Sequence, residues 1–450
     1  MSRSKKSLRS RITLLVTAVA AVSATTLLFV VSAGAADQVA SISAGDTAWV
    51  LTSSAFVLMM TAPGLALFYA GMVRRKNVLA TLMQSFFLVA LISVQWALFG
   101  YSLAFSPWHG LIGGLQWASL ANVSATQAYP WYAPTIPHQA YMVFQCMFAV
   151  ITPALITGAF AERISFKGFV VFSMLWTTLI YDPLAHWVWA VDGWLHQLGA
   201  LDFAGGTVVH ISSGVSALAA VLMIGRRRGY PHEPVHPNNL TMTLTGAGLL
   251  WVGWFGFNAG SALAANGLAV SAFVATNLGA AAATLSWICV EWWLSGKPTV
   301  LGAASGAVAG LVAITPGSGF VGPMSAIVIG LIAGALCYGA VRIKSWFFYD
   351  DALDVVGVHG VGGIWGALAT GLFANVAVNS AGANGLFYGN PHQFLIQVVA
   401  VAASVLFAFG GSLILLKITD ALVGLRVDAE AEQLGLDLSE HEENAYALEA

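Results

Sequence analysis

The chain has 450 residues, of which 58% are hydrophobic and 8% charged, with a mean hydropathy of +0.79 and a formal net charge of −2. A typical soluble domain is roughly 25% charged, so the bulk of this chain is solvated by lipid. The net charge says nothing about nucleic acid, and no basic patch interleaved with aromatics suggests it, so that class is set aside.

At the amino terminus Arg3, Lys5, Lys6, Arg9 and Arg11 precede an apolar run from Ile12 to Val31 and then Ala33-Gly34-Ala35. A basic region, an apolar region and an A-x-A site predict a signal peptide over residues 1–35, cleaved after Ala35. The run is longer than most such regions, which leaves an uncleaved extra helix as the alternative. Either way the chain that follows starts outside.

Eleven apolar segments follow, at 47–73, 78–105, 138–161, 166–189, 203–225, 239–263, 267–294, 300–315, 322–345, 357–376 and 391–419. Most exceed the roughly 20 residues that cross a bilayer, which predicts an all-α polytopic membrane protein with a membrane domain over 36–420 and an acidic tail over 421–450. The basic residues test the count. Beyond the signal they fall in alternate connections: Arg74, Arg75 and Lys76; Arg163 and Lys167; Arg226 to Arg228; Lys297; Arg342 and Lys344; then Lys417 and Arg426. By the positive-inside rule those connections are cytoplasmic, the mature amino terminus lies outside, and the number of spans is odd.

Glycines recur at four-residue spacing, as in Gly302, Gly306 and Gly310 or Gly330 and Gly334, where small residues let helix backbones approach closely in lipid. The same packing role is expected of Gly360, Gly362 and Gly363, because a GxGG pattern without a strand before it is no nucleotide loop. Cys146, Cys289 and Cys337 fall inside expected helices without metal or redox spacing, so no metal or cofactor is expected. Nothing resembles a catalytic triad or a nucleotide loop, and the chain is not expected to be an enzyme.

Two histidines lie in long apolar stretches, each eight residues after an aspartate: Asp202-FAGGTVV-His210 and Asp351-ALDVVGV-His359. An ionisable group within a membrane helix usually faces a bundle interior, and a pattern repeated in both halves points to an internal duplication with the working site between the repeats. An apolar lumen favours neutral imidazoles, each with one donor and one acceptor, which suits a small polar guest.

Four stretches carry a resemblance: Asp202-Phe-Ala-Gly-Gly-Thr-Val-Val-His210, Gly253-Trp-Phe-Gly-Phe-Asn-Ala-Gly-Ser261, Gly158-Ala-Phe-Ala-Glu-Arg163 and Gly357-Val-His-Gly-Val-Gly-Gly363. Through them the chain resembles the ammonium transporter (Amt/Mep/Rh) family, in its bacterial Amt branch. The resemblance implies eleven helices in two inverted pseudo-symmetric halves, a pore through each subunit, a homotrimer in a bacterial inner membrane, and a role in nitrogen uptake. It places the paired pore histidines on His210 and His359, and an outer ammonium site of aromatic rings and one hydroxyl on Phe148, Trp189 and Ser261. It places a stacked phenyl gate on Phe148 and Phe257, a pore-lining ring on Trp254 and a vestibule aspartate on Asp202. The Trp189 match requires a one-residue insertion before Asp202. Keeping the first histidine favours the Amt branch over fungal relatives that carry an acid there.

These residue types suit the task. Aromatic faces attract a cation by roughly 0.5–2 kcal/mol per ring, and a hydroxyl can accept a hydrogen bond that ammonium donates and potassium cannot. An unpaired ion in a dry medium costs tens of kcal/mol by Born arguments. The expected route is therefore binding outside, loss of the proton near the phenyl gate, and passage of ammonia along the histidines, with or without its proton.

Asp182 departs from the family pattern, and with His186 four residues on it is expected to form a pair on one helix face or to attract cations mildly. Asp350, Asp351 and Asp354, beside Arg342 and Lys344, are expected to cap a helix start and pair at the surface. Asp202 has helix capping as its plain structural role. The tail stretch Gly435-Leu-Asp-Leu-Ser-Glu-His-Glu-Glu-Asn-Ala-Tyr446 is either a solvated acidic tail or, as the resemblance implies, a regulatory region that meets a PII-type signalling protein. It carries Glu442 where the family usually has glycine, which bears on its bend. An ammonium sensor or receptor, and a pore for another small cation, are the alternatives; no TVGYG-like filter or acidic ring supports the latter.

Overall fold

A computed structural model describes residues 41–233 and 235–446, so the signal-peptide expectation falls outside the described residues. Among them there is no strand, and eleven helical segments succeed one another. They are α1 (Ala44–Met72), α2 (Arg75–Phe105), α3 (His138–Phe160), α4 (Phe166–Leu198), α5 (Gly206–Ile224), α6 (Leu240–Gly260), α7 (Gly267–Ser295), α8 (Val300–Ile314), α9 (Pro323–Ile343), α10 (Val356–Phe373) and α11 (Pro391–Val423). All eleven expected segments are present. Ten are long and apolar enough to cross a bilayer, while α8 is shorter and is continued by a buried turn through Val321.

Local chemistry sets the ends. Ser43, Asn239, Asn266 and Thr299 accept backbone N–H groups at the starts of α1, α6, α7 and α8, satisfying donors the helix leaves open. Pro323 occupies the first turn of α9, where its missing N–H costs nothing. Pro63 breaks α1 in mid-span, with Ala62 in an extended conformation. The helical run of α4 ends at Trp189, as expected, and resumes for one turn at Trp194–Leu198.

The expected glycine packing is observed. A Cβ at Gly330 or Gly334 would collide with the carbonyl of Gly279 or Ala283, so α9 lies directly against α7. A Cβ at Gly214 would collide with the backbone of Gly360, which fixes the crossing of α5 and α10.

Five π turns interrupt the spans among the described residues, at Met60–Leu65, Trp96–Gly100, Thr177–Tyr181, Gly206–Ile211 and Val356–Val361. The last two contain His210 and His359. A π turn adds a residue to the helical turn and re-aims the side chains around it, a distortion frequent at functional sites.

The tail is folded rather than solvated. Helices α12 (Ala429–Leu434) and α13 (Leu436–His441) lie on the basic face. Lys76 Nζ donates to the Glu432 carbonyl at 3.1 Å, Asn77 Oδ1 accepts from Leu436 N at 2.8 Å, and Asp437 Oδ1 accepts from Ala80 N at 2.8 Å. The bend after α13 is retained, with Glu442 itself in the left-handed region at φ 57°.

Candidate functional site

The two repeated aspartates do the same local work. Asp202 accepts the backbone N–H groups of Gly205, Gly206 and Thr207, each at 2.7 Å, together with the Thr207 hydroxyl. Asp351 Oδ2 accepts the N–H of Val356 at 2.8 Å, and Lys344 Nζ donates to the Asp351 carbonyl at 2.9 Å. Each acid therefore holds the start of a histidine-bearing helix, satisfying amides that have no partner within the helix. Burial pushes the Asp351 carboxyl up to about 6, against the pull of Lys344. Asp354 pairs with Lys344.

The glycine crossing of α5 and α10 brings the histidines together. His210 Nδ1 and His359 Nδ1 are 3.3 Å apart, with ring centroids at 5.3 Å and planes 29° apart. Both rings are buried, and His210 Nε2 has no hydrogen-bond partner. One Nδ1 must donate and the other accept, so the pair holds a single shared proton in that contact.

Aromatic rings continue from His210. Trp254 stacks on it at 5.5 Å and Phe257 at 6.1 Å, Phe257 meets Phe148 at 4.3 Å, and Phe148 meets Trp189 edge-on at 5.8 Å. Trp189 Nε1 donates to the Asp202 carbonyl at 3.0 Å, which ties the ring to the aspartate that caps α5. Ser261 caps the end of α6, one turn beyond Phe257, and its Oγ donates to the Phe257 carbonyl at 2.8 Å. The seven pore and outer-site residues expected from sequence thus fall along one run of contacts from Ser261 and Trp189 to His359.

Beside the histidines lies a cavity of about 10 Å³ walled by Trp254, Phe257, Leu250, Ile151 and both imidazoles. A second, of about 30 Å³, shares Phe68, Val308 and His359 and extends past Met72 and Ser305 to Asp354. The space is narrow and mostly apolar, with room for single small molecules.

Two expectations fail: Asp350, expected to pair at the surface, is buried and pairs with Arg227 at 2.7 Å. Asp182 does not pair with His186: it is fully buried and accepts from Gln95 Nε2 at 2.8 Å, with Oδ1 unpartnered. The ring nitrogens of His186 lie 3.0 and 2.9 Å from the carbonyls of Ala104 and His109, with Asp192 at 3.5 Å. The π turn Thr177–Tyr181 ends where Asp182 begins and turns it toward α2, away from the face that an ideal helix would share with His186.

Two further groups of residues were missed. Thr315 Oγ1 accepts the Trp254 indole N–H at 2.8 Å and fixes that ring. On the basic face Glu162 meets Arg74 at 2.9 Å and Arg227 at 3.1 Å, Asp350 meets Arg227 at 2.7 Å, and buried Arg163 donates to the carbonyls of Ala161, Gly225 and Asp350. Burial pushes the Glu162 carboxyl up, but Arg227 and Arg74 outweigh it and hold the group below the usual range. The charges were visible in separate connections; nothing local in sequence pairs them.

Residues 48–446 match the Ammonium Transporter Family. The chain belongs to this family. It is 53% identical over 403 residues to an ammonium transporter of Bacillus subtilis (strain 168), covering 89% of this chain and 98% of that one. It is 48% identical to ammonium transporter Amt1 of Archaeoglobus fulgidus, covering 89% and 99%. The crystal structure of Candida albicans Mep2 superposes with a TM-score of 0.83 at 34% identity, covering 91% and 94%. The protein is a membrane-spanning transporter with ammonium as its substrate, and its family is one of channels and transporters, not of enzymes.

Proposed function

We propose that ammonium is recognised at Phe148, Trp189 and Ser261, loses its proton beside the Phe148–Phe257 pair, and crosses as ammonia along His210 and His359. The observation that carries this reading is the 3.3 Å imidazole contact at the end of the ring series, against a cavity too small and too apolar for a hydrated ion. The Ser261 proton is committed to the Phe257 carbonyl, so what the hydroxyl offers a guest is lone pairs, which ammonium can use as a donor and potassium cannot. Phe148 and Trp189 add cation attraction through their faces.

The same reading puts the basic connections and the tail in the cytoplasm of a bacterium, with the mature amino terminus outside. It includes assembly as a homotrimer and a PII-type protein as a partner of the docked tail, in the service of nitrogen uptake. A sensor role is not favoured, since the curated relatives described above are named as transporters.

The test is ammonium and methylammonium uptake by the purified chain in liposomes with potassium as competitor. Uptake should persist in excess potassium, Ser261→Ala should lower apparent affinity, and the His210/His359 double alanine variant should lower flux. Potassium competition equal to that of ammonium would defeat the proposal.

A further inference from the structure

On the basic face, the connection after α1, the connection before α6 and Tyr446 of the tail border an open pocket of about 610 Å³, with Arg74, Arg75, His236, Pro237, Asn238 and Asn239 also in its lining. That volume lies in the range of small-molecule sites. None of its lining residues belongs to the ring series or walls the cavities beside the histidines.

Its wall is cationic and held in place. The Arg75 guanidinium lies 5.0 Å over the Tyr446 ring, and among the described residues no carboxylate pairs with it. Tyr446 is fixed by its hydroxyl, which donates to Asn238 Oδ1 at 2.7 Å, and Asn238 Nδ2 in turn donates to the carbonyls of Ala70 and Val73 at 2.5 and 2.9 Å. Arg74 meets Glu162, but that acid also serves Arg227, whose other carboxylate partner is Asp350. Asn239 caps the 21-residue α6, so the positive end of that helix also borders the space.

We propose that this cavity binds a phosphate-bearing anion. A guanidinium held flat by an aromatic ring keeps its N–H edges free, and that planar fork matches phosphate oxygens. His236 and the helix start complete the donors. The occupant engages the N–H edges of Arg75, which lies on the Tyr446 ring, and so holds the tail against the connection after α1. The last turn of α1, through Phe68, Tyr69 and Met72, lines the lower pore cavity, which couples occupancy to the pore exit.

The experiment uses the full chain in nanodiscs of phosphatidylcholine, read by thermal unfolding and by hydrogen-exchange protection of residues 429–446. The probes are inorganic phosphate, ATP, and nanodiscs containing phosphatidylglycerol. Saturable stabilisation by a soluble phosphate identifies a free ligand, and stabilisation by phosphatidylglycerol alone identifies a headgroup; both support the site. Arg75→Gln should weaken the effect at least about tenfold while leaving ammonium uptake in phosphate-free buffer unchanged. His236→Gln gives a second reading should Arg75→Gln disturb the tail. No saturable effect from any probe, or equal effects in both variants and the parent, would overturn the proposal.

Discussion

His210 and His359 stand with their Nδ1 atoms 3.3 Å apart although 149 residues separate them in the chain. Two imidazolium ions at that distance would repel by about 5 kcal/mol even at an effective dielectric of 20. The contact therefore accommodates one proton between the rings, and any charge that enters the pair must leave before a second arrives. His210 Nε2, buried and unpartnered, is the free acceptor or donor that results.

Asp351 makes stability depend on pH. Its carboxyl is pushed up to about 6 by burial, so the folded state binds this proton more tightly than the unfolded chain does. Stability from this group is complete below the ordinary carboxylate range and is lost as pH rises through about 6. Between pH 8 and pH 5 the protein should gain about 1 kcal/mol from it. Asp351→Asn, which keeps an acceptor for the Val356 amide, should remove that gain. Detergent unfolding of both proteins across this range checks it; equal slopes would count against the assignment.

Asp182→Asn should change apparent ammonium affinity by less than about tenfold and leave selectivity intact. The amide oxygen can still accept from Gln95, and the side chain does not reach the ring series. Uptake kinetics with potassium competition measure both; loss of transport would contradict the placement.

Thr315→Val should strand the Trp254 indole N–H in the core at a cost of about 1–3 kcal/mol and slow transport by loosening the ring against His210. Thr315→Ser should restore both. Thermal unfolding and uptake rates together decide it, since a valine variant equal to the parent in both would show that the hydrogen bond does not hold the ring.

Glu442→Gly should tighten the tail. Glu442 sits at φ 57°, a conformation that costs a side-chain-bearing residue about 1 kcal/mol or more and glycine little. Hydrogen exchange across 429–441 should slow in the variant. Faster exchange would mean that the Glu442 side chain itself anchors the bend.

Much of this protein was legible because lipid makes its demands local. Each span must be long and apolar, so α1 to α11 could be counted from hydropathy, and the basic connections checked the count without any contact being known. His210, His359 and the acids eight residues before them stood out because ionisable groups are scarce in such helices. What escaped detection depends on geometry that no short pattern encodes. The π turn before Asp182 turned a plausible i,i+4 partner of His186 into a partner of Gln95 on another helix. Thr315 reaches Trp254 across 61 residues, and Glu162 joins arginines from two other connections. Of the two readings of the tail, the solvated one counted its acids as free charge, whereas Glu432 and Asp437 bind Arg426, Arg228 and the start of α2.

The most direct measurement is the flux evoked by an ammonium jump in proteoliposomes, with current and internal pH recorded together, for the parent protein and His210→Ala. Passage through the paired imidazoles predicts that the evoked signal falls at least about tenfold in the variant while potassium stays excluded from the parent. An ammonium-evoked signal unchanged by His210→Ala would contradict it.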